Sequence, residues 1–251
     1  MWPFKDKCKS IKREFKPVLC IPGTWKDKIE IFSKTDGAYM IVGDILMDIR
    51  NNQHFEIEIT NYDSKIRPSF DYAGRWSGFS EEYLNDVDKH NSVVYILGRS
   101  GDIKECTNLA TVAAKLLKVG GIGVKVETTG KSFTKEQWIE LSNNKSIGNL
   151  YKMFVADSIL IKDGTVLSCG MHNLGFCDSI ISGEDFQNAV KIISIFNLYQ
   201  LVDLPVIKNG QTFQTEITSP YYKLKTESNQ PFKGDDLFEN PIGMWRLTRL
   251  K

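Results

Sequence analysis

The densest run of chemically capable side chains is Ser168-Cys169-Gly170-Met171-His172-Asn173-Leu174-Gly175-Phe176-Cys177-Asp178. A thiol and an imidazole three residues apart could form a thiolate–imidazolium pair, the histidine taking the proton that sulfur must lose before it attacks. In that arrangement Cys169 is the nucleophile and His172 the base, while Asp178 or Asn173 orients the ring. The run also offers metal ligands in Cys169, His172 and Cys177, with Asp178 as a fourth, but without a recognised zinc spacing. Against both, the partners of cysteine hydrolases usually meet in space from distant parts of the chain. The simpler reading is a buried turn. There Cys169 packs as a small hydrophobe, His172 bonds to backbone and the glycines give a tight path. No metal or other cofactor is expected.

Other suggestive residues have equally plain alternatives. Gly130-Lys131-Ser132 precedes a helical pattern as a phosphate loop would, but the earlier glycine of that motif is replaced by Lys125 and Glu127 adds the wrong charge. Gly120-Gly121-Ile122-Gly123 comes before its strand rather than after it, so it ends a helix and does not hold a dinucleotide. His54 and His90 stand alone and read as surface or strand-edge histidines. Glu56, Glu58, Asp63, Glu81, Glu82, Asp86 and Asp88 could supply an acidic patch for a basic partner, or be a solvated face. Asp63, Arg67, Asp71 and Arg75, four apart, would form an alternating ladder if helical. Tyr221, Tyr222 and Phe232, near Lys223 and Lys225, suit an exposed binding patch or a tail pinned to the core.

The elements that must position these groups follow from period and punctuation. Val18 to Ile21 is a buried strand closed by Pro22-Gly23, and Thr24 with Asp27 has capping-box spacing. Tyr39 to Ile49 is one long strand or two paired ones, with Gly43 at the bend, and His54 to Ile59 alternates as a strand with one wet face. Ser80-Glu81-Glu82 opens a helix through about Lys89. The clearest unit is a strand over Ser92 to Leu97, a helix capped by Asp102 and Glu105, and a strand over Ile122 to Val126. Its helical stripe runs through Ile103, Cys106, Leu109, Ala110, Ala113, Leu116 and Leu117. This predicts a crossover in a mixed or parallel sheet. Thr134 and Gln137 start another helix, Met153 to Ile161 pairs with Thr165 to Cys169 about Lys162-Asp163-Gly164, and Phe186 to Leu201 is a largely buried helix. The expected fold is a single α/β domain of mixed α+β type over 17–251, its mixed sheet flanked by helices. A turn-rich, polar tail begins near Pro205, and Phe238, Trp245 and Leu247 suggest that it folds back onto the core.

Composition narrows the function classes. The 251 residues are 41% hydrophobic and 25% charged, as globular chains are, and 32 basic against 31 acidic residues leave a net charge of +1. No polyanionic partner is implied, so nucleic acid is not an expected ligand. The longest apolar runs are far shorter than a bilayer span, and no signal-peptide pattern opens the chain. The five cysteines are scattered and odd in number, which argues for the cytoplasm over a disulfide-framed secreted protein. The basic segment 1–16 interleaves Lys5, Lys7, Lys9, Lys12, Arg13 and Lys16 with Trp2, Phe4, Ile11 and Phe15. It is read as a solvated first helix docking by its aromatics rather than a membrane-surface element, since Asp6 and Glu14 interrupt the charge.

The segments Val18–Gly23 (VLCIPG), Gly120–Gly130 (GGIGVKVETTG), Ser168–Leu174 (SCGMHNL) and Phe238–Leu247 (FENPIGMWRL) together resemble an uncharacterised bacterial family of cytoplasmic proteins, classed as a domain of unknown function. The resemblance extends from about Lys16 to Leu247 and brings no catalytic residues with it. Proteins of this kind are similar to those encoded beside secreted toxins, including type VI secretion effectors, where they act as immunity factors. The resemblance therefore implies a binding protein that covers the active site of a cognate toxin. Two alternatives are a hydrolase or transferase using Cys169 and His172, and a structural or scaffold subunit.

Overall fold

In the computed structural model, residues 15–35, 37–74 and 77–250 are described. Most of the basic segment and Arg75 of the charge ladder lie outside them. In chain order the elements are β1 (Val18–Gly23), α1 (Lys28–Lys34), β2 (Tyr39–Val42), β3 (Ile45–Asp48), β4 (Gln53–Asn61), α2 (Ile66–Ala73) and α3 (Glu81–Asp88). There follow β5 (Ser92–Leu97), α4 (Ile103–Lys118), β6 (Gly123–Val126), β7 (Lys131–Thr134), α5 (Lys135–Asn143), α6 (Ile147–Phe154), β8 (Ala156–Leu160) and β9 (Val166–Cys169). The last are a 3-10 turn over Met171–Leu174, β10 (Asp178–Ile181), α7 (Phe186–Asp203), β11 (Thr212–Phe213), β12 (Tyr222–Thr226) and β13 (Met244–Arg249).

The fold is α+β, as expected, with the strands divided between two sheets rather than gathered in one. The first runs β2-β3-β4-β5-β1-β6-β7 and the second β11-β12-β13-β10-β9-β8. Every neighbouring pair in the first sheet is antiparallel. The predicted crossover from β5 through α4 to β6 exists, but β1 lies between its two strands, antiparallel to both. Leu19 and Ile21 of β1 pack with the α4 stripe on one face, while Cys20 meets Phe70, Leu84 and Val87 of α2 and α3 on the other. A strand buried on both faces is a natural centre for a sheet.

Several local readings change. β1 continues through Pro22 and Gly23, because the Pro22 carbonyl still accepts from Ile122 N. Gly23 is required there, since a Cβ would lie 2.1 Å from the Trp25 ring. Helix α1 is capped by Asp27, whose carboxylate accepts from Glu30 N, and Thr24 instead donates to the Gly120 carbonyl. Tyr39 to Ile49 is a hairpin turning at Gly43. Met153 and Phe154 end α6, started by Ser146 and not anticipated, so the following hairpin begins at Ala156. The tail folds back onto the core as Trp245 and Leu247 suggest, and it does so as a strand rather than as a decoration. β13 sits inside the second sheet, parallel to β10 and antiparallel to β12. Helix α7 covers one face of that sheet, with Ile193 and Phe196 against Val166, Ile181, Leu224 and Leu247. Phe232 packs on the opposite face, beside Leu167, Ile180 and Met244.

Candidate functional site

The predicted Cys–His–Asp run lies between the two sheets, in the return from β9 to β10. Gly170 and Gly175, both at positive φ, bound the 3-10 turn, and a Cβ on Gly170 would come 2.3 Å from the Phe154 carbonyl oxygen. The turn is buried throughout Met171, His172, Asn173 and Leu174. Its glycines give the tight path expected of them.

Asp178 organises the turn. Its Oδ1 accepts from Ser168 Oγ at 2.9 Å and from Met171 N at 3.1 Å, and its Oδ2 accepts from Asn240 Nδ2 at 2.7 Å. His172 Nδ1 donates to Oδ2 at 3.4 Å, so the ring is held by a carboxylate and not, as expected, by backbone. His172 Nε2 is buried without a hydrogen-bond partner among the described residues, and the ring packs edge-on against Phe15 at 4.2 Å. Asn173 is also structural, accepting from Thr128 Oγ1 and donating to the Phe154 carbonyl. From Asp178 the polar chain continues through Ser168, whose hydroxyl accepts from Ser179 N, and on through Asn197 and Tyr151 to Asp157. The network is almost fully satisfied, as a buried one must be.

Cys169 is bonded elsewhere. Its thiol donates to the carbonyls of Thr128 and Phe238, each at 3.7 Å, and no hydrogen bond among the described residues joins it to His172. Burial pushes this thiol well above its ordinary range, and the carboxylates of Asp178 and Asp235 push it further. Sulfur is thus held as a neutral thiol, the form that does not attack. Cys177 donates to the Ile242 carbonyl. Cys169, His172 and Cys177 do not converge as a ligand set, and no group of three such residues able to hold a metal occurs among the described residues.

Cys169 also lines a cleft of about 1000 Å³ between the edge strands β7 and β8. Lys131, which the sequence offers only as part of a failed phosphate-loop pattern, crosses its floor. Its ammonium donates to the carbonyls of Lys152 at 2.5 Å and Val155 at 3.0 Å. Burial lowers this lysine to about 8, against the opposing pull of Asp157. Phe133 stands on one side, and Phe232 and Phe238, 5.6 Å apart, on another. Gly130, at φ 67°, makes the β6–β7 hairpin turn and opens no helix.

The remaining candidates scatter. Glu56 and Glu58 point outward from β4, and Glu81, Glu82, Asp86 and Asp88 lie exposed on α3. Glu56 is paired with Lys16, Glu81 with Arg67 and Asp86 with Lys89, so cations meet three of the seven predicted acids. Asp63 precedes α2, and Arg67 reaches across to Glu81 of α3, so the Asp63–Arg67 rung of the predicted ladder does not form, while the Asp71–Arg75 rung lies outside the described residues. His54 is exposed as expected. His90 is buried, its Nδ1 donating to the Val87 carbonyl while Nε2 accepts from Asp63 N. Tyr221 is exposed, but Tyr222 is buried with its hydroxyl on Glu184, and Phe232 packs inward, so the aromatic patch is not assembled. The outer face of β2 and β3, unremarked in the sequence, carries Met40, Val42 and Ile45 at 37%, 55% and 36% exposure.

No family model, no curated protein and no solved structure matches the chain. No helix among the described residues is long and apolar enough to cross a membrane.

Proposed function

We propose that this chain is a cytoplasmic immunity protein: it binds a cognate secreted bacterial toxin, of the type VI secretion kind, and occludes its active site without chemistry of its own. The observation that carries this reading is the open outer face at the β2 edge of the first sheet. Pairing aligns Met40 with Met47, Val42 with Ile45, and Ile45 with Glu56, so an apolar strip borders the carboxylates of Glu56 and Glu58. Helices α2 and α3 cover this face over β5 and β1 but leave the strip exposed. Contiguous exposed apolar surface rimmed by charged side chains, here Glu58 and the Glu56–Lys16 pair, is the composition of a protein-binding patch. It suits a toxin whose substrate cleft is basic with an apolar rim.

The enzymatic alternative draws on Cys169 at the cleft wall. A neutral thiol bonded to two carbonyls speaks against it.

Co-expression with the product of the adjacent gene, in a host bacterium, tests the proposal. Growth arrest should be relieved and a complex should co-purify. The double substitution Val42→Asp, Ile45→Asp should abolish both while leaving circular dichroism unchanged, and Cys169→Ala should leave protection intact. Loss of protection in a folded Cys169→Ala protein would move the assignment to an enzyme, and absence of any complex would remove the immunity reading.

A further inference from the structure

We propose that the cleft between β7 and β8 is a binding site for a small amphipathic anion, a carboxylate or sulfonate on an aromatic or aliphatic body, with Lys131 as its charge partner. The site lies at the β7 edge of the first sheet, the opposite edge from the β2 face, and is independent of the toxin-binding reading. Its volume of about 1000 Å³ matches the upper range of small-molecule sites, which are mostly apolar with a few placed polar groups. Phe133, Phe232 and Phe238 supply the apolar walls.

The polar group is the Lys131 amine. An ammonium carries three N–H donors, and the carbonyls of Lys152 and Val155 take two. Those two acceptors are neutral, and the Asp157 carboxylate pulls on the ammonium with no hydrogen bond among the described residues joining them, so the largely desolvated cation still gains from a directly bonded anion. The other charged or titratable groups lining the cleft are Lys152, Asp157, Glu140, Tyr72 and Cys169. Lys152 adds a second cation. Asp157 accepts from the Tyr151 hydroxyl at 2.9 Å, Glu140 is exposed, and Cys169 is a neutral thiol.

A bound anion favours the charged amine and so raises Lys131 above the value of about 8 that it has in the free protein. Binding is therefore strongest below that pH and weakens as the amine deprotonates, by up to about tenfold per pH unit.

The test uses the full chain and two probes of like shape, phenylbutyrate and its uncharged counterpart phenylbutanol, titrated by calorimetry from about pH 6.5 to about pH 9.5 to span the lysine's titration. Phenylbutyrate should bind at least about tenfold more tightly at neutral pH, the preference expected of one charge-assisted bond. That preference should shrink above pH 8, survive Lys131→Arg and vanish in Lys131→Met. Equal affinities, no binding of either probe at millimolar concentration, or a preference unchanged to the alkaline limit would each overturn the site. Should Lys131→Met fail to fold, the pH profile of the unsubstituted protein decides alone.

Discussion

At the scale of single residues, the environment of a side chain overrides its type. Cys169, His172 and Asp178 are the set that a thiol enzyme would need, yet the structure uses them to build a turn. Asp178 receives Ser168, Met171 N, His172 and Asn240, four donors from three segments of the chain. Removing it strands several buried donors at once. Asp178→Ala should therefore cost about 3 kcal/mol or more, read as a lower midpoint in urea. His172→Leu should cost clearly less, because Nε2 has no partner among the described residues and the Nδ1 contact is long. A cost for Asp178→Ala within the range of a surface change would show that the network contributes little.

At the scale of elements, caps and glycines decide where segments begin and how closely they approach. The Asp102 carboxylate accepts from Glu105 N and starts α4, the helix whose stripe fills the first core. Glu105 has capping-box spacing, but its carboxylate turns to Arg99, accepting from the backbone N and the guanidinium. The cap therefore rests on Asp102 alone, and Asp102→Ala should cost about 1 kcal/mol in chemical denaturation while Asp102→Asn costs little. α5 differs, since Thr134 and Gln137 close both halves of their box. Equal losses for the alanine and asparagine substitutions would point to the aspartate's charge rather than its cap.

At the scale of the whole molecule, the two sheets depend on segments far apart in sequence. β1 is an interior strand of the first sheet, between strands that arrive some 70 and 100 positions later. β13 is held within the second by β10 and β12, and Asn240 ties the segment before it to Asp178 and to the Phe176 carbonyl. Leu247 is buried between α7 and the sheet, so Leu247→Asp should unfold the second sheet. Hydrogen exchange would then show lost protection over β9, β10 and β12. Native protection in that variant would mean that β13 is dispensable, as a decorative tail would be.

What the sequence by itself determined is local. The α4 stripe, the cap at Asp102, the capping box of Thr134 and Gln137, the alternation along β4 and the turn glycines of the Cys169 run depend on neighbours a few positions apart, and all hold, while the Glu105 half of the first box does not. The exposed Glu56 and Glu58 follow from that same alternation. Only tertiary structure decided the division into two sheets, the insertion of β1 between β5 and β6, and the place of the C-terminal strand between β10 and β12. Strand order is set by which apolar faces find each other over long separations, and period carries no record of that. The cleft belongs to the same class. Lys131 looks like any strand lysine until β7 and β8 arrive as facing edges and remove its water. Cys169 looks reactive until two carbonyls and two carboxylates surround it. The charge state of a buried group depends on its assembled neighbours, and those neighbours exist only in the fold.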